Sequence, residues 1–261
     1  MADLSGRVAV VTEADGGLGR GIAEGLAEAG ATVYLTGRAE DAERAESGDL
    51  AAAGRAVETF GGKAFAVPLT AACDRALTAL FERIRAEQGR LDLLVNHAGN
   101  EARELPAAHP FWEQSPSLWD AAGVPELRSR YAAAVLAARA MVEQGSGLIV
   151  NVAAPEDGRP LGVAAGMELA ALERMGRDMS RDLAPHGVTV LTLIPAPLGE
   201  AVSAAGRAGD AQTVPGAAAP RFTGRCVAAL AMDPDILEKT GGVYQVTGLQ
   251  PEYRFTDPNR A

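Results

Sequence analysis

Cysteine is scarce in this sequence, and long apolar runs are missing from it. The two cysteines, Cys73 and Cys226, form no CxxC pair and have no neighbouring histidine, so neither a disulfide framework nor a metal site is expected. No apolar run approaches the roughly 20 residues of a membrane-spanning helix, and no secretory signal peptide is recognisable. These absences predict a cytoplasmic protein that does not enter a membrane.

Positive charge is also in short supply. The 24 lysines and arginines are outnumbered by 34 aspartates and glutamates, which gives a formal net charge of −10. Nucleic acids and anionic membrane surfaces bind basic faces, so neither is expected as a partner. The 261 residues are 48% hydrophobic. That is enough for a substantial core, and we predict one domain spanning residues 1–261.

Strand-like and helix-like segments alternate along the chain. Short runs rich in Val, Leu and Ile predict strands at 7–12, 32–36, 63–68, 92–96, 147–153, 188–194 and 242–246. Helical patterns lie between them at about 17–30, 40–60, 74–88, 126–144, 162–184 and 221–232. This rhythm is typical of stacked βαβ units, so we predict an α/β fold with a doubly wound, seven-stranded parallel sheet flanked by helices.

Two long connections are expected to border a ligand site. Residues 100–120 contain three prolines, and long connections at strand carboxyl ends often shape such a site. Residues 197–220 are rich in Ala, Gly and Pro and are predicted to form a mobile substrate flap.

The stretch VTEADGGLGRG at 11–21 follows an apolar run and precedes a helical pattern. A strand, a glycine turn and a helix in this order usually cradle a phosphate, because the turn amides and the helix's positive end attract anions. Here Glu13 and Asp15 lie inside the turn. Either these carboxylates oppose a bound anion, or they turn to solvent and cap the helix start.

Three further blocks follow in order: LDLLVNHAG at 91–99, QGSGLIVNVAAP at 144–155 and the long stretch at 170–197. Together with the opening turn they closely resemble the short-chain dehydrogenase/reductase (SDR) superfamily, over about residues 5–200. The resemblance implies a Rossmann-like fold.

A narrower resemblance rests on an insert. The segment AAHPFWEQSPSLWDAAG at 107–123, followed by LRSRY at 127–131, is similar to the subgroup of dehydrogenase/reductase SDR family member 1.

The resemblance also identifies cofactor positions. The family turn reads Thr-Gly-x-x-x-Gly-x-Gly, and Glu13 replaces its first glycine. The positions implied to contact a nicotinamide dinucleotide are Gly17, Leu18, Gly19, Arg38 and Asn96. Thr70 stands where an aspartate usually meets the adenine, and Ala196 replaces the glycine after strand six. We therefore expect no cofactor. If one binds, Arg38 favours NADP, because family members often hold the 2′-phosphate there.

The family's catalytic residues are missing. Its Ser, Tyr and Lys positions fall on Ala154, Ala165 and Leu169. A shift in register cannot restore them, since residues 155–186 contain neither tyrosine nor lysine and none of the four tyrosines has a lysine four residues later. The sequence thus predicts a pseudo-oxidoreductase with a degenerate active site.

Other residues become candidates for acid/base chemistry. Glu126 lies near the position of a family active-site residue, but a carboxylate at a helix start is also favoured by the helix dipole. His97 is a second candidate, unless backbone groups satisfy its ring. Glu156 is a third, although Glu156-Asp157-Gly158 is also typical of a turn. Trp112, Trp119 and Tyr131 are candidate pocket walls, whereas Glu168 is expected on a solvated or subunit-facing side of its helix.

Three functions remain open at this stage, and with them whether the chain is an enzyme. The first is small-molecule binding with cofactor-independent acid/base chemistry, such as cyclisation, isomerisation or dehydration. The second is a non-catalytic subunit that pairs with an active relative. The third is an NADP-dependent oxidoreductase with an atypical site. The resemblance implies a homo-oligomer, dimer or tetramer, built through the helices at 126–144 and 162–184, or a hetero-oligomer with that relative.

Overall fold

The computed structural model describes residues 2–37, 49–69, 73–98, 110–113, 124–153, 162–196 and 219–258. Within these ranges seven strands form one all-parallel sheet in the order β3-β2-β1-β4-β5-β6-β7. The strands are β1 Val8–Val11, β2 Thr32–Gly37, β3 Lys63–Pro68, β4 Leu93–Asn96, β5 Gly147–Val152, β6 Val188–Ile194 and β7 Val243–Gln245. The predicted fold class is confirmed.

Seven α-helices flank this sheet in the described ranges. They are α1 Gly17–Glu28, α2 Asp49–Thr59, α3 Asp74–Gln88, α4 Val124–Gln144, α5 Gly162–Leu183, α6 Pro220–Ala231 and α7 Val246–Tyr253. Most agree with the predicted helices to within two residues. Residues 40–48 of the predicted 40–60 helix and residues 197–218 of the predicted flap lie outside the described residues.

Helix α7 follows β7 directly and was not predicted. Gly248 and Pro251 lie within this eight-residue helix, and both residues disfavour helices in isolation. Val246 and Leu249 are buried in the main core cluster. Tertiary packing therefore holds a helix that local propensity does not favour.

The helices form one layer on each side of the sheet. Residues of α1, α2, α6 and α7 share one buried apolar cluster, while those of α3 and α4 share a second with the end of α5. Strands β1, β4 and β6 are buried along their whole length, as parallel strands covered on both faces should be.

The strand order reverses between β1 and β4. From β1 the chain adds β2 and β3 on one side, then crosses to place β4 on the other. In open α/β sheets, ligands bind in the crevice at the carboxyl ends of the strands at such a point. The β1–α1 turn and the end of β4 border this crevice.

Helices α1 and α6 approach each other at backbone distance. A Cβ built on Gly25 would lie 2.6 Å from the carbonyl carbon of Gly224, and one built on Gly21 would lie 2.2 Å from the Cβ of Pro220. Glycine at these positions is required by the packing, since real Cβ atoms essentially never come that close.

We predict that Gly25→Ala lowers the free energy of unfolding by about 1–3 kcal/mol, because the added methyl group must push α6 away. Gly166→Ala is the matched control. Gly166 is also helical, and among the described residues no atom outside its own helix backbone lies within 4 Å of a Cβ there, so alanine should stabilise by about 0.5–1 kcal/mol. Urea melts of both variants measure this, and equal effects of the two substitutions would contradict it.

Candidate active site

Thr12 ties the end of β1 to the end of β4. Its Oγ1 donates to the carbonyl of His97 and accepts from the His97 amide at 3.0 Å. Its own amide donates to the Val95 carbonyl at 3.1 Å. These bonds continue the strand pairing past the last ladder residues and fix both edges of the crevice.

Glu13 has a left-handed backbone, with φ of 46°. Its amide donates to Thr36 Oγ1 at 3.3 Å. Its carbonyl oxygen lies 3.1 Å from Nδ1 of His97. The left-handed conformation costs a residue with a side chain about 1–2 kcal/mol, which explains why the family turn has glycine here. The Glu13 side chain is half-buried.

The two matched glycines of the turn have different surroundings. A Cβ on Gly19 would lie 2.4 Å from the Glu13 carbonyl oxygen and 2.8 Å from Nδ1 of His97, so Gly19 is needed for packing. Gly17 is left-handed, at φ +50°, and among the described residues no atom lies within 4 Å of a Cβ built there. No described residue packs against the position that a side chain on Gly17 would take, at the amino end of α1.

The side chain of Asp15 lies against the end of β2. A Cβ built on Gly37, the last residue of β2, would lie 2.8 Å from Asp15 Cβ, 2.9 Å from its Cγ and 3.1 Å from its Oδ2. The half-buried Asp15 carboxylate thus lies beside the carboxyl end of β2, in space that any side chain at position 37 would fill.

A buried polar cluster lies beneath the crevice. Asn96 Nδ2 donates to the Asn151 side chain and to the Arg130 carbonyl, both at 3.1 Å. Arg130 Nη1 donates to the Val152 carbonyl at 2.8 Å. Arg130 Nη2 lies 3.8 Å from Glu168 Oε1, and these two side chains are only 4% and 5% exposed.

Glu168 corrects one expectation from the sequence. It does not lie on a solvated or subunit-facing side of its helix but is buried within the chain, because α5 brings it against Arg130 of α4. Arg130, in the LRSRY block, was not among the residues predicted from the sequence to have a role in the site. The sequence did contain a signal for the pair. Arg130 and Glu168 lie on the two predicted long helices, and a charged residue on a helix face that packs against another helix is almost never buried without a partner.

The candidate acid/base residues are only partly described. Glu126 lies in the first turn of α4 and His97 follows β4. The side chain of Glu126 is outside the described residues, as is Glu156 altogether. The Glu126 and Glu156 assignments stay predictions. The His97 assignment does too, but its Nδ1 lies 3.1 Å from the backbone carbonyl of Glu13, which is the kind of backbone contact that the sequence analysis set against an acid/base role.

The family-derived positions and pocket walls are described to different extents. Leu169 is half-buried on α5, Asn96 is fully buried, and Trp112 and Tyr131 are exposed. Arg38, Thr70, Trp119, Ala154 and the side chain of Ala165 lie outside the described residues.

The structure describes all four tyrosines, and none of them lies on α5. They are Tyr34 in β2, Tyr131 in α4, Tyr244 in β7 and Tyr253 at the end of α7. Burial and a hydrogen bond to Glu87 raise the pKa of Tyr34 to about 12. Burial and a hydrogen bond to Asp233 raise the pKa of Tyr253. The resemblance implies a tyrosine that passes the proton and a lysine that lowers its pKa, so the pKa shifts of Tyr34 and Tyr253 are in the opposite direction.

Both lysines belong to the opposite edge of the sheet. Lys63 is the first residue of β3, and Lys239 ends the short 3-10 helix that precedes β7. Their positions are at the amino ends of strands, whereas the crevice is at the carboxyl ends. Neither lysine can therefore take the place of the family's catalytic lysine.

Comparison with known proteins decides the family. The family model described as "short chain dehydrogenase" matches residues 7–209. The chain belongs to the short-chain dehydrogenase/reductase family. It is 36% identical to dehydrogenase/reductase SDR family member 1 of Mus musculus over 98% of this chain and 85% of that protein. The Homo sapiens protein of the same name is 33% identical over 98% and 84%.

Solved structures of the SDR family agree with this fold. A Sinorhizobium meliloti protein described as a short-chain alcohol dehydrogenase superposes with a TM-score of 0.73 at 26% identity, covering 96% of this chain and 98% of that one.

Further features of this SDR chain concern metals and membranes. In the described ranges no three His, Cys, Asp or Glu side chains converge as a metal site requires. Of the helices given above, none combines the length and hydropathy needed to cross a bilayer.

Proposed function

We propose that this SDR chain binds a small molecule at the carboxyl edge of its sheet and does not transfer hydride through the family's Ser, Tyr and Lys. One observation carries the proposal. Every tyrosine lies off α5, and both lysines lie at the amino edge. The proton transfer that accompanies carbonyl reduction thus lacks both the tyrosine that passes the proton and the lysine that lowers its pKa.

The crevice fits the diphosphate of a nicotinamide dinucleotide better than it fits the nicotinamide ribose. The amino end of α1, where no described residue lies against a Cβ on Gly17, suits a diphosphate, whose charge the helix dipole and backbone amides favour. At the other half, Leu169 replaces the lysine that holds the nicotinamide ribose. When bound, such a cofactor supplies hydride. We propose that no hydride is delivered here. The sequence predicted that no cofactor binds, and the present proposal is limited to the absence of hydride transfer.

Acid/base chemistry is the activity that we propose in its place. The carboxyl edge of the sheet carries the candidate groups. His97 follows β4, Glu126 is in the first turn of α4, and Glu156 comes after β5 in the sequence. A ligand bound at this edge would have its polar groups within reach of them. A carboxyl group in a desolvated crevice can exchange protons near neutral pH. Cyclisation, isomerisation or dehydration of a small molecule needs only such a group and a shaped pocket.

Two other functions have support. An NADP-dependent oxidoreductase with an atypical site is favoured by the relatives, which are named dehydrogenases/reductases. A subunit that pairs with a second copy or with an active relative is favoured by exposed apolar side chains on α4 and α5, namely Tyr131, Val163 and Met167. We also propose a cytoplasmic location for this protein.

The test is a reductase assay on the purified protein. With NADH or NADPH and a panel of aldehydes and ketones, we expect no loss of reduced cofactor above the protein-free rate. Steady oxidation of either cofactor, coupled to formation of the alcohol, would overturn the proposal. Once a substrate is found, Glu126→Gln should abolish its turnover while the melting temperature stays unchanged.

A further inference from the structure

A cavity lies at the amino edge of the sheet, at the opposite end of the strands from the crevice. Its volume is about 330 Å³, and it lies between the sheet and residues 231–237, which join α6 to the 3-10 helix before β7. Small-molecule sites in proteins have volumes of about 300–1,000 Å³. The cavity is therefore large enough for a small ligand.

One row of residues across four strands forms the floor of this cavity. Ala9 pairs with Leu93, Leu93 pairs with Leu148, and Leu148 pairs with Thr189. All four line the cavity. Residues paired in this way direct their side chains to the same face of a sheet. The three apolar members belong to the main core cluster, so the Thr189 side chain is directed to that face as well.

The hydroxyl group of Thr189 is the unexplained polar group of the floor. Thr189 is 0% exposed, and its Oγ1 has no hydrogen-bond partner among the described residues. A buried hydroxyl that lacks a partner has lost its hydration without compensation, and such groups are uncommon in folded proteins. A molecule in the cavity that carries one polar atom would supply the missing partner.

The charges at the mouth of the cavity balance one another. Asp92 accepts hydrogen bonds from the guanidinium groups of Arg7 and Arg90. Asp233, the other carboxylate among the described lining residues, accepts a hydrogen bond from the Tyr253 hydroxyl. Two positive and two negative groups leave no net charge to attract an ion of either sign. The ligand that fits is therefore uncharged.

We propose that this cavity is a second ligand site, which binds a small neutral molecule with an apolar body and one hydroxyl or carbonyl group. The oxygen of that group hydrogen-bonds Thr189 Oγ1, and the apolar body lies against Leu93, Leu148 and Ile236. The site is separate from the crevice at the carboxyl edge, so the proposal does not depend on what binds there.

The experiment is a titration of the full chain with cyclohexanol, followed by the amide NMR signals of the protein. We expect saturable shifts at Thr189 and at residues 236–237, with a dissociation constant of about 1 mM, as suits a ligand of so few atoms. Thr189→Val keeps the shape of the side chain and removes the hydroxyl. It should weaken cyclohexanol binding at least about fivefold without lowering the melting temperature.

The matched control is Thr223→Val. Thr223 is 1% exposed and its Oγ1 also has no partner among the described residues, but it lies on α6 and does not line this cavity. This variant should bind cyclohexanol as the unmodified protein does. Ala231→Leu should prevent binding, because Ala231 lines the cavity and the larger side chain would occupy it.

Three results would overturn the proposal. One is the absence of saturable shifts at the amino edge well above millimolar cyclohexanol, which would mean that water alone fills the cavity. Another is equal affinity of Thr189→Val and the unmodified protein. The third is shifts confined to the carboxyl edge. These readouts are made at the amino edge of the sheet, so they are distinct from the reductase assay.

Discussion

Glu168→Leu should lower the free energy of unfolding by about 3–5 kcal/mol, because it removes a buried carboxylate that lies beside the buried guanidinium of Arg130. The two side chains are 4% and 5% exposed and their charged atoms lie 3.8 Å apart. Arg130 keeps its hydrogen bond to the Val152 carbonyl, but that neutral acceptor does not replace a buried negative charge. Arg130→Met should lower the free energy of unfolding by a similar amount, because the buried carboxylate of Glu168 would then lack the nearby guanidinium.

The double variant Arg130→Met/Glu168→Leu tests the cause. Replacing a buried ion pair by apolar groups of similar volume is often neutral or stabilising, so we expect the double variant to recover most of the loss. At about 2–4 °C per kcal/mol for a chain of this size, each single variant should melt roughly 10 °C lower than the double variant.

An exposed pair on the same helix is the matched control. Arg174 and Asp178 lie 2.6 Å apart, but their side chains are 73% and 45% exposed. Surface pairs contribute about 0–1 kcal/mol, so Arg174→Ala should change the stability only slightly. If Glu168→Leu is as mild as Arg174→Ala, or if the losses simply add in the double variant, Arg130 and Glu168 are not a coupled buried pair.

The sheet was predictable from the sequence because its signals are local. Runs such as Val8–Val11 and Val188–Ile194 are apolar along their whole length and are bounded by turn residues. Parallel strands buried on both faces require that pattern. The doubly wound, Rossmann-like arrangement was implied by the resemblance, since four motifs in family order and at family spacings indicate one fold.

The contacts that distinguish this chain were not predictable in the same way. Asp15 meets Gly37, and Arg130 meets Glu168, across segments that only the folded chain brings together. No periodicity records which side chain on α5 faces which on α4. For Asp15 the sequence left two orientations open, and what the structure adds is that the side chain packs against β2.

Restoring the family triad should not by itself restore reduction. In Ala154→Ser/Ala165→Tyr/Leu169→Lys we expect no carbonyl reduction with NADPH. The three residues act as a unit, so all are required, but the carboxylates of Glu13 and Asp15 would still oppose the cofactor. Two unit charges at 4 Å repel by about 1 kcal/mol in water and about 4 kcal/mol at an effective dielectric of 20.

Removing those charges should then have a large effect on binding. Adding Glu13→Gly and Asp15→Ser to the triple variant should raise the NADPH affinity by about tenfold or more, since each 1.4 kcal/mol is a factor of ten. Glu13→Gly should also stabilise the fold by about 1–2 kcal/mol, because the left-handed backbone at φ 46° suits glycine. Titration calorimetry and thermal melts measure the two effects.

The same two substitutions in the unmodified protein separate binding from catalysis. There, Glu13→Gly and Asp15→Ser should raise the NADPH affinity without producing any reductase activity, because Ala154, Ala165 and Leu169 are still in place. Activity gained in that background would show that another group supplies the proton. Micromolar binding of NADPH by the triple variant alone would show instead that the two carboxylates do not guard the turn, and the sequence VTEADGGLGRG would then be an ordinary dinucleotide cradle.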